Sequence, residues 1–169
     1  MSLFSRLFGG APDPQGPPQS PASLRAALMA INRPTAPFEV RAGRPDEAEF
    51  VAEWRIVDAR WYEVFAKAGL QKAFKVLMRL DQTTNEVRAV DQEWTVAWRA
   101  GVPSLSLSAS AFRGQAVEVE FGKAYGFTEQ LGVGEIYNYR FSTAELKGPL
   151  QKVVAAHGWR WRGVAFGKL

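Results

Sequence analysis

Between Phe50 and Phe166 short runs of apolar residues alternate with charged ones, as in Trp94-Thr-Val-Ala-Trp98, Ile136-Tyr-Asn-Tyr-Arg-Phe141 and Trp159-Arg-Trp-Arg162. A period of two places successive side chains on opposite faces, so runs of this kind are strands with one buried face. This pattern commits most of the chain to β-sheet. The core falls to its aromatic rings: six Trp, four Tyr and eleven Phe. At about 1.5–3 kcal/mol for each large apolar side chain fully buried, these can anchor one domain.

The strand order follows from the punctuation. Ala73–Leu80 and Val87–Arg99 read as a hairpin joined by Asp81-Gln-Thr-Thr-Asn85, and Ala100-Gly-Val-Pro103 turns the chain into a short Leu/Ser strand. Arg113-Gly114 reads as a further turn. Ala116–Phe121 and Ala124–Thr128 continue the alternation around a bend at Gly122, Leu131–Gly134 is a turn, and Glu135–Phe141 is a strand. Trp159–Phe166 closes the sheet. Glu49–Val57 reads as strand followed by a helix from Asp58 to Ala68, although a longer helix also fits its spacing.

Two further helices are expected. Ser20 caps one that starts at Pro21 and runs to Asn32, with Leu24, Ala27, Leu28 and Ile31 on one face. Ser142-Thr-Ala-Glu145 matches a capping box, and the main helix is expected to restart at Pro149 and end at Gly158. The predicted fold is therefore α+β: a mainly antiparallel sheet of about six to seven strands with two packing helices, one before the hairpin and one before the last strand, and a disordered N-terminal tail. Parallel pairing becomes possible only after the last helix, because earlier connections are too short for crossovers.

The expected organisation is an apolar tip and Pro-rich flexible linker over 1–20, a helix and loop over 21–48, and one globular unit over 49–169. Four prolines and a glycine in Ala11–Ser20 favour a semi-extended segment. Leu3, Phe4, Leu7 and Phe8 fall on one side of a short helical turn and form a candidate docking motif for a protein partner or a membrane surface. No stretch reaches the roughly 20 apolar residues of a membrane span. The N-terminus lacks the pattern of a secretory signal, and the expected compartment is cytoplasmic.

Composition excludes several chemistries. With no cysteine there are no disulfides, thiolate nucleophiles or Cys-ligated metals. No cofactor motif occurs; Gly132-Val-Gly134 lacks the third glycine of a dinucleotide loop. The lone histidine, His157, falls in the last turn of a helix, where the dipole favours it without any catalytic role. Glu118 and Glu120 share the solvent face of a strand, the serines of 104–110 face outward from an edge, and Asp58 and Asp91 read as caps or turn residues. No catalytic set and no metal site emerge.

The net charge is +4, with five Arg against four acids in residues 1–48 and sixteen Lys/Arg against thirteen acids in the remainder. A surplus spread this evenly attracts anions only weakly. One local feature concentrates it. On a strand, Arg160 and Arg162 share the face opposite Trp159 and Trp161; with Arg140 placed on a neighbouring strand they form a candidate anion-binding face. Nucleic acid is a weaker expectation, because stacking and charge neutralisation need rings and cations on the same surface. Arg60, Trp61 and Arg99 are candidate pocket residues for an enzyme using Asp or Glu with Arg support. The leading functional expectation is a binding or interaction module.

Overall fold

The computed structural model describes residues 11–34, 36–58, 61, 65–66, 70–107, 113–114, 120–128, 136–164 and 169; within 113–114, 120–128 and 136–145 the description is of the backbone. The α+β architecture is as the alternation predicts. Six antiparallel strands curl into a half-barrel, and among the described residues two helices pack on one of its faces. The strands are β1 (Phe38–Ala42), β2 (Phe50–Trp54), β3 (Lys72–Asp81), β4 (Glu86–Arg99), β5 (Val102–Leu107) and β6 (Arg113–Gly114). β7 (Glu120–Thr128) and β8 (Ile136–Ser142) form a separate antiparallel pair, and β9 (Arg160–Gly163) joins the large sheet in parallel.

The spine is the 14-residue β4. One edge pairs with β3 from Glu86 to Thr95; the other is shared by β9 at Glu86–Ala89, β6 at Asp91–Gln92 and β5 at Trp94–Arg99. The β3–β4 hairpin closes as expected. Asn85 turns with φ +52°, a conformation Asn tolerates, and Asp81 accepts a hydrogen bond from the Thr83 amide at 3.0 Å. Ala100 and Gly101, both at positive φ, turn β4 into β5, so the reversal needs two residues and Pro103 lies within an edge strand. Arg113-Gly114, expected to be a turn, bridges β4 instead.

Helix α1 (Pro21–Met29) starts where Ser20 accepts a bond from the Ser23 amide at 3.2 Å. It ends before Asn32, because Asn32 leaves the helix to bond both backbone groups of Val40 on β1, at 2.6 and 2.7 Å. Helix α2 (Thr143–Ala156) is continuous through Pro149, not restarted there. Proline removes one intrahelical bond, but the buried stripe of Leu146, Leu150 and Val154 spans the position and packs the two halves as one helix. The end is set by Gly158, at φ +74°, with the Trp159 amide reaching back to Val154 O at 3.1 Å. A Cβ on Gly158 would collide with the Pro17 carbonyl.

That contact corrects the flexible-linker reading of Ala11–Ser20. The segment has its backbone tied to the end of α2: Gln15 N donates to Ala155 O at 2.8 Å, Gln19 N donates to His157 O at 2.9 Å, and Trp159 Nε1 donates to Gln19 O at 2.8 Å. The core behind it runs from Leu24 and Leu28 through Phe38, Phe50, Trp54, Phe74 and Met78 to Leu150, Trp159 and Trp161. In β2 the split from the following turn falls after Trp54; Trp61 N then bonds Asp58 O at 2.8 Å, and Phe65 N bonds Trp61 O at 3.2 Å.

Candidate anion-binding face

Registers decide which side chains share a face. On the core side Leu80, Val87 and Trp161 are matched across β3, β4 and β9. One residue earlier on β3 and one later on β4 and β9, the matched set is Arg79, Arg88 and Arg162. These three arginines therefore stand in one cross-strand row on the face away from the helices. With strands about 4.8 Å apart, their Cα atoms fall within roughly 10 Å. Like charges directly opposite one another destabilise a sheet, and at about 4 Å each neighbouring pair costs up to about 1 kcal/mol even in water.

Little in the surroundings offsets that cost. Arg79 is exposed and has no ion-pair partner among the described residues. Arg88 is half-buried, and its Nε is covered without a hydrogen-bond partner among the described residues. Arg162 lies 3.6 Å from Glu86, whose partner across the β4–β9 register is Arg160. Asp81, Glu86 and Arg160 form the row beyond, so the nearest matched acids sit one row away from the three arginines.

Next to the arginine row, the same face carries Val51, Leu77 and Val90, all buried yet outside the main core. Beyond them runs a ladder of charges. Arg41 chelates Glu47 (2.7 and 2.9 Å) and bonds Glu53 (2.8 Å); Lys75 pairs with Glu53 at 3.0 Å and lies 4.3 Å over the ring of Trp94. The Arg41 hydrogen bond draws the Glu47 carboxyl down to about 2 against the opposing effect of burial. Burial alone would raise Glu53, but the Arg41 hydrogen bond and the Lys75 charge outweigh it and hold its carboxyl below the ordinary value. Between this ladder and Arg79 opens a cavity of about 540 Å³, with Leu77, Gln92, Trp94 and Leu107 among its walls and Arg44, Asp46, Glu47 and Glu49 on the β1–β2 loop side.

The residues singled out from sequence fare unequally. Arg160 and Arg162 are exposed on β9 while Trp159 and Trp161 are buried, as the alternation requires. Arg140 is not on a neighbouring strand: β8 pairs with β7 in its own sheet, and α2 carries the chain from there to the edge of β4. Of the β9 arginines, Arg162 is matched with Arg88 and through it with Arg79, two residues the sequence reading missed, while Arg160 is matched with Glu86. The Arg79–Arg88 match follows from a four-residue turn closing on Asp81 and Glu86, so counting back from the turn was the available signal; no local signal announces that Arg162 is matched with Arg88.

Trp61 is fully buried against Phe65 in the core, at 6.5 Å between rings, and Arg99 is exposed at the far end of β4; neither lines the cavity. Arg60 lies outside the described residues, as do Leu3, Phe4, Leu7, Phe8 and Glu118. His157 Nδ1 lies 2.8 Å from Val153 O just past the end of α2, a structural position.

Asp91 is neither a cap nor a turn residue. It sits inside β4, fully buried on the core face, with Lys147 Nζ of α2 2.6 Å from its Oδ2. The Lys147 cation offsets the cost of burying that carboxylate inside the strand. No three His, Asp or Glu side chains among the described residues gather as metal ligands, and no described helix is long and apolar enough to cross a membrane. No family model, curated protein or solved structure matches this chain.

Proposed function

We propose that this chain is a ligand-binding module that holds an anionic group, such as a phosphate, on the face of β3, β4 and β9 away from the helices. The observation that carries the reading is the matched row of Arg79, Arg88 and Arg162. Three adjacent guanidiniums with one 3.6 Å ion pair among them impose a standing electrostatic cost, and a bound anion relieves it. Guanidinium forks suit phosphate and carboxylate because they offer paired donors in a fixed plane. An enzymatic reading draws no support from Asp91, which faces the core and not the cavity.

The test is calorimetric titration of the full chain with inorganic pyrophosphate at low ionic strength. Binding is expected, and Arg79→Gln combined with Arg162→Gln is expected to weaken it about tenfold or more, since a charge-assisted hydrogen bond contributes about 1.5–3 kcal/mol. Equal binding by wild type and variant would refute the proposal. A single-stranded oligonucleotide that binds and is insensitive to the same substitutions would place any nucleic-acid contact elsewhere on the chain.

A further inference from the structure

The arginine row fixes one end of a ligand, and the cavity beside it describes the rest. We infer that the ligand is an amphiphilic anion: its charged headgroup lies on Arg79, Arg88 and Arg162, and its apolar body runs along the cavity against Leu77, Trp94 and Leu107. This inference rests on the anion-binding reading above.

Four observations lead there. Arg79 belongs to both the row and the cavity wall, so the two are continuous. Leu77 is the next residue of β3 on that face, and from Arg88 to Trp94 the β4 spine advances six residues, about 20 Å at 3.3–3.4 Å per residue. At the far end Trp94 is half-buried and matched in register with Leu107 of β5, which is 47% exposed although apolar. A volume of about 540 Å³ lies within the ordinary range for small-molecule sites.

The cations and acids along the way are largely committed. Lys75 is held by Glu53 and covers one side of the Trp94 ring. Glu47 is held by Arg41, and Glu49 by Arg25 at 2.6 Å and by the Leu80 amide at 3.1 Å. Arg44, 74% exposed with Glu47 4.0 Å away, and Asp46 stand on the loop wall, so charge remains available there and at the arginine end, while the Trp94–Leu107 end offers apolar surface. That division fits a molecule with one charged end and one apolar end better than a ligand charged throughout.

The experiment is a titration of the full chain with monomeric alkyl phosphates from ethyl to dodecyl. Affinity is expected to rise about three- to fourfold for each methylene that enters the cavity, the equivalent of about 0.8 kcal/mol per buried CH₂, and then to level off. Leu107→Ser, at an exposed position, is expected to flatten that rise. Arg79→Gln is expected to weaken every member by the same factor. Affinity that depends on the arginines but not on chain length overturns the amphiphile inference and leaves the anion site standing. No binding of any member, or binding indifferent to the arginines, overturns both. Pelleting with phosphatidic acid vesicles without binding of monomeric dodecyl phosphate overturns the cavity in favour of a membrane surface.

Discussion

Removing Lys147 should damage the fold more than removing both Lys147 and Asp91. The Nζ–Oδ2 distance is 2.6 Å, Asp91 is fully buried and the Lys147 side chain is 10% exposed. At an effective dielectric of 20, which reproduces buried pairs best, the gross attraction at that distance is about 6 kcal/mol. Desolvating each ion costs several kcal/mol, so the pair as a whole contributes little net stability. Breaking it is another matter. Lys147→Met leaves the Asp91 carboxylate buried under α2 and should cost about 3–5 kcal/mol. That is a large part of the 5–15 kcal/mol expected for a whole domain. Asp91→Leu with Lys147→Met replaces both charges by apolar groups and should return to within about 1 kcal/mol of wild type, or exceed it. The measurement is guanidinium unfolding followed by tryptophan fluorescence for wild type, both single variants and the double variant. The predicted coupling energy between the two sites is at least about 3 kcal/mol. A Lys147→Met variant within about 0.5 kcal/mol of wild type would show that the carboxylate is solvated in the folded protein, and the reasoning would fail.

Other outcomes follow from the same contacts. The Glu47 carboxyl titrates near 2 in the fold, below its ordinary value of 4.5, because Arg41 bonds it. A depressed folded value means that the unfolded chain takes up the proton first as pH falls. The contribution is therefore present above about pH 4.5 and lost as pH falls through about 2; Arg41→Met should shrink the acid dependence of the urea midpoint across that window, and an unchanged profile would contradict it. Gly158→Ala should cost at least about 1–2 kcal/mol, because its φ of +74° is strained for any other residue and the new methyl meets the Pro17 carbonyl; proteolysis should then open first near residues 15–19. Arg79→Gln should stabilise the free protein by a few tenths to about 1 kcal/mol at low salt, by relieving Arg88, with the gain fading as salt is added. A loss of stability in that variant would mean that Arg79 has a structural partner.

The β3–β4 hairpin, the caps at Ser20 and Gly158 and the inward rings of Trp159 and Trp161 were legible in the sequence because each depends on residues a few positions apart. Alternation alone fixed the side on which Arg160 and Arg162 stand. What alternation does not carry is register between strands far apart in the chain. Arg162 meets Arg88 only through a parallel pairing delivered by α2, so Arg140, nearer in sequence, was the wrong neighbour. The same limit hid Asp91. A carboxylate inside an apolar run reads as the end of an element until its cation is found, and Lys147 lies on a helix four strands later. Proline at 149 misled in the opposite direction, since the burial of Leu146 and Leu150 on either side outweighs one missing hydrogen bond.

The most direct measurement is an amide NMR titration of the full chain with pyrophosphate at constant ionic strength. The proposed site predicts saturable shifts concentrated on β3 around Arg79, β4 around Arg88 and β9 around Arg162, with the hairpin turn between the first two moving with them. Shifts centred on other elements, or none beyond those that chloride produces, would contradict it.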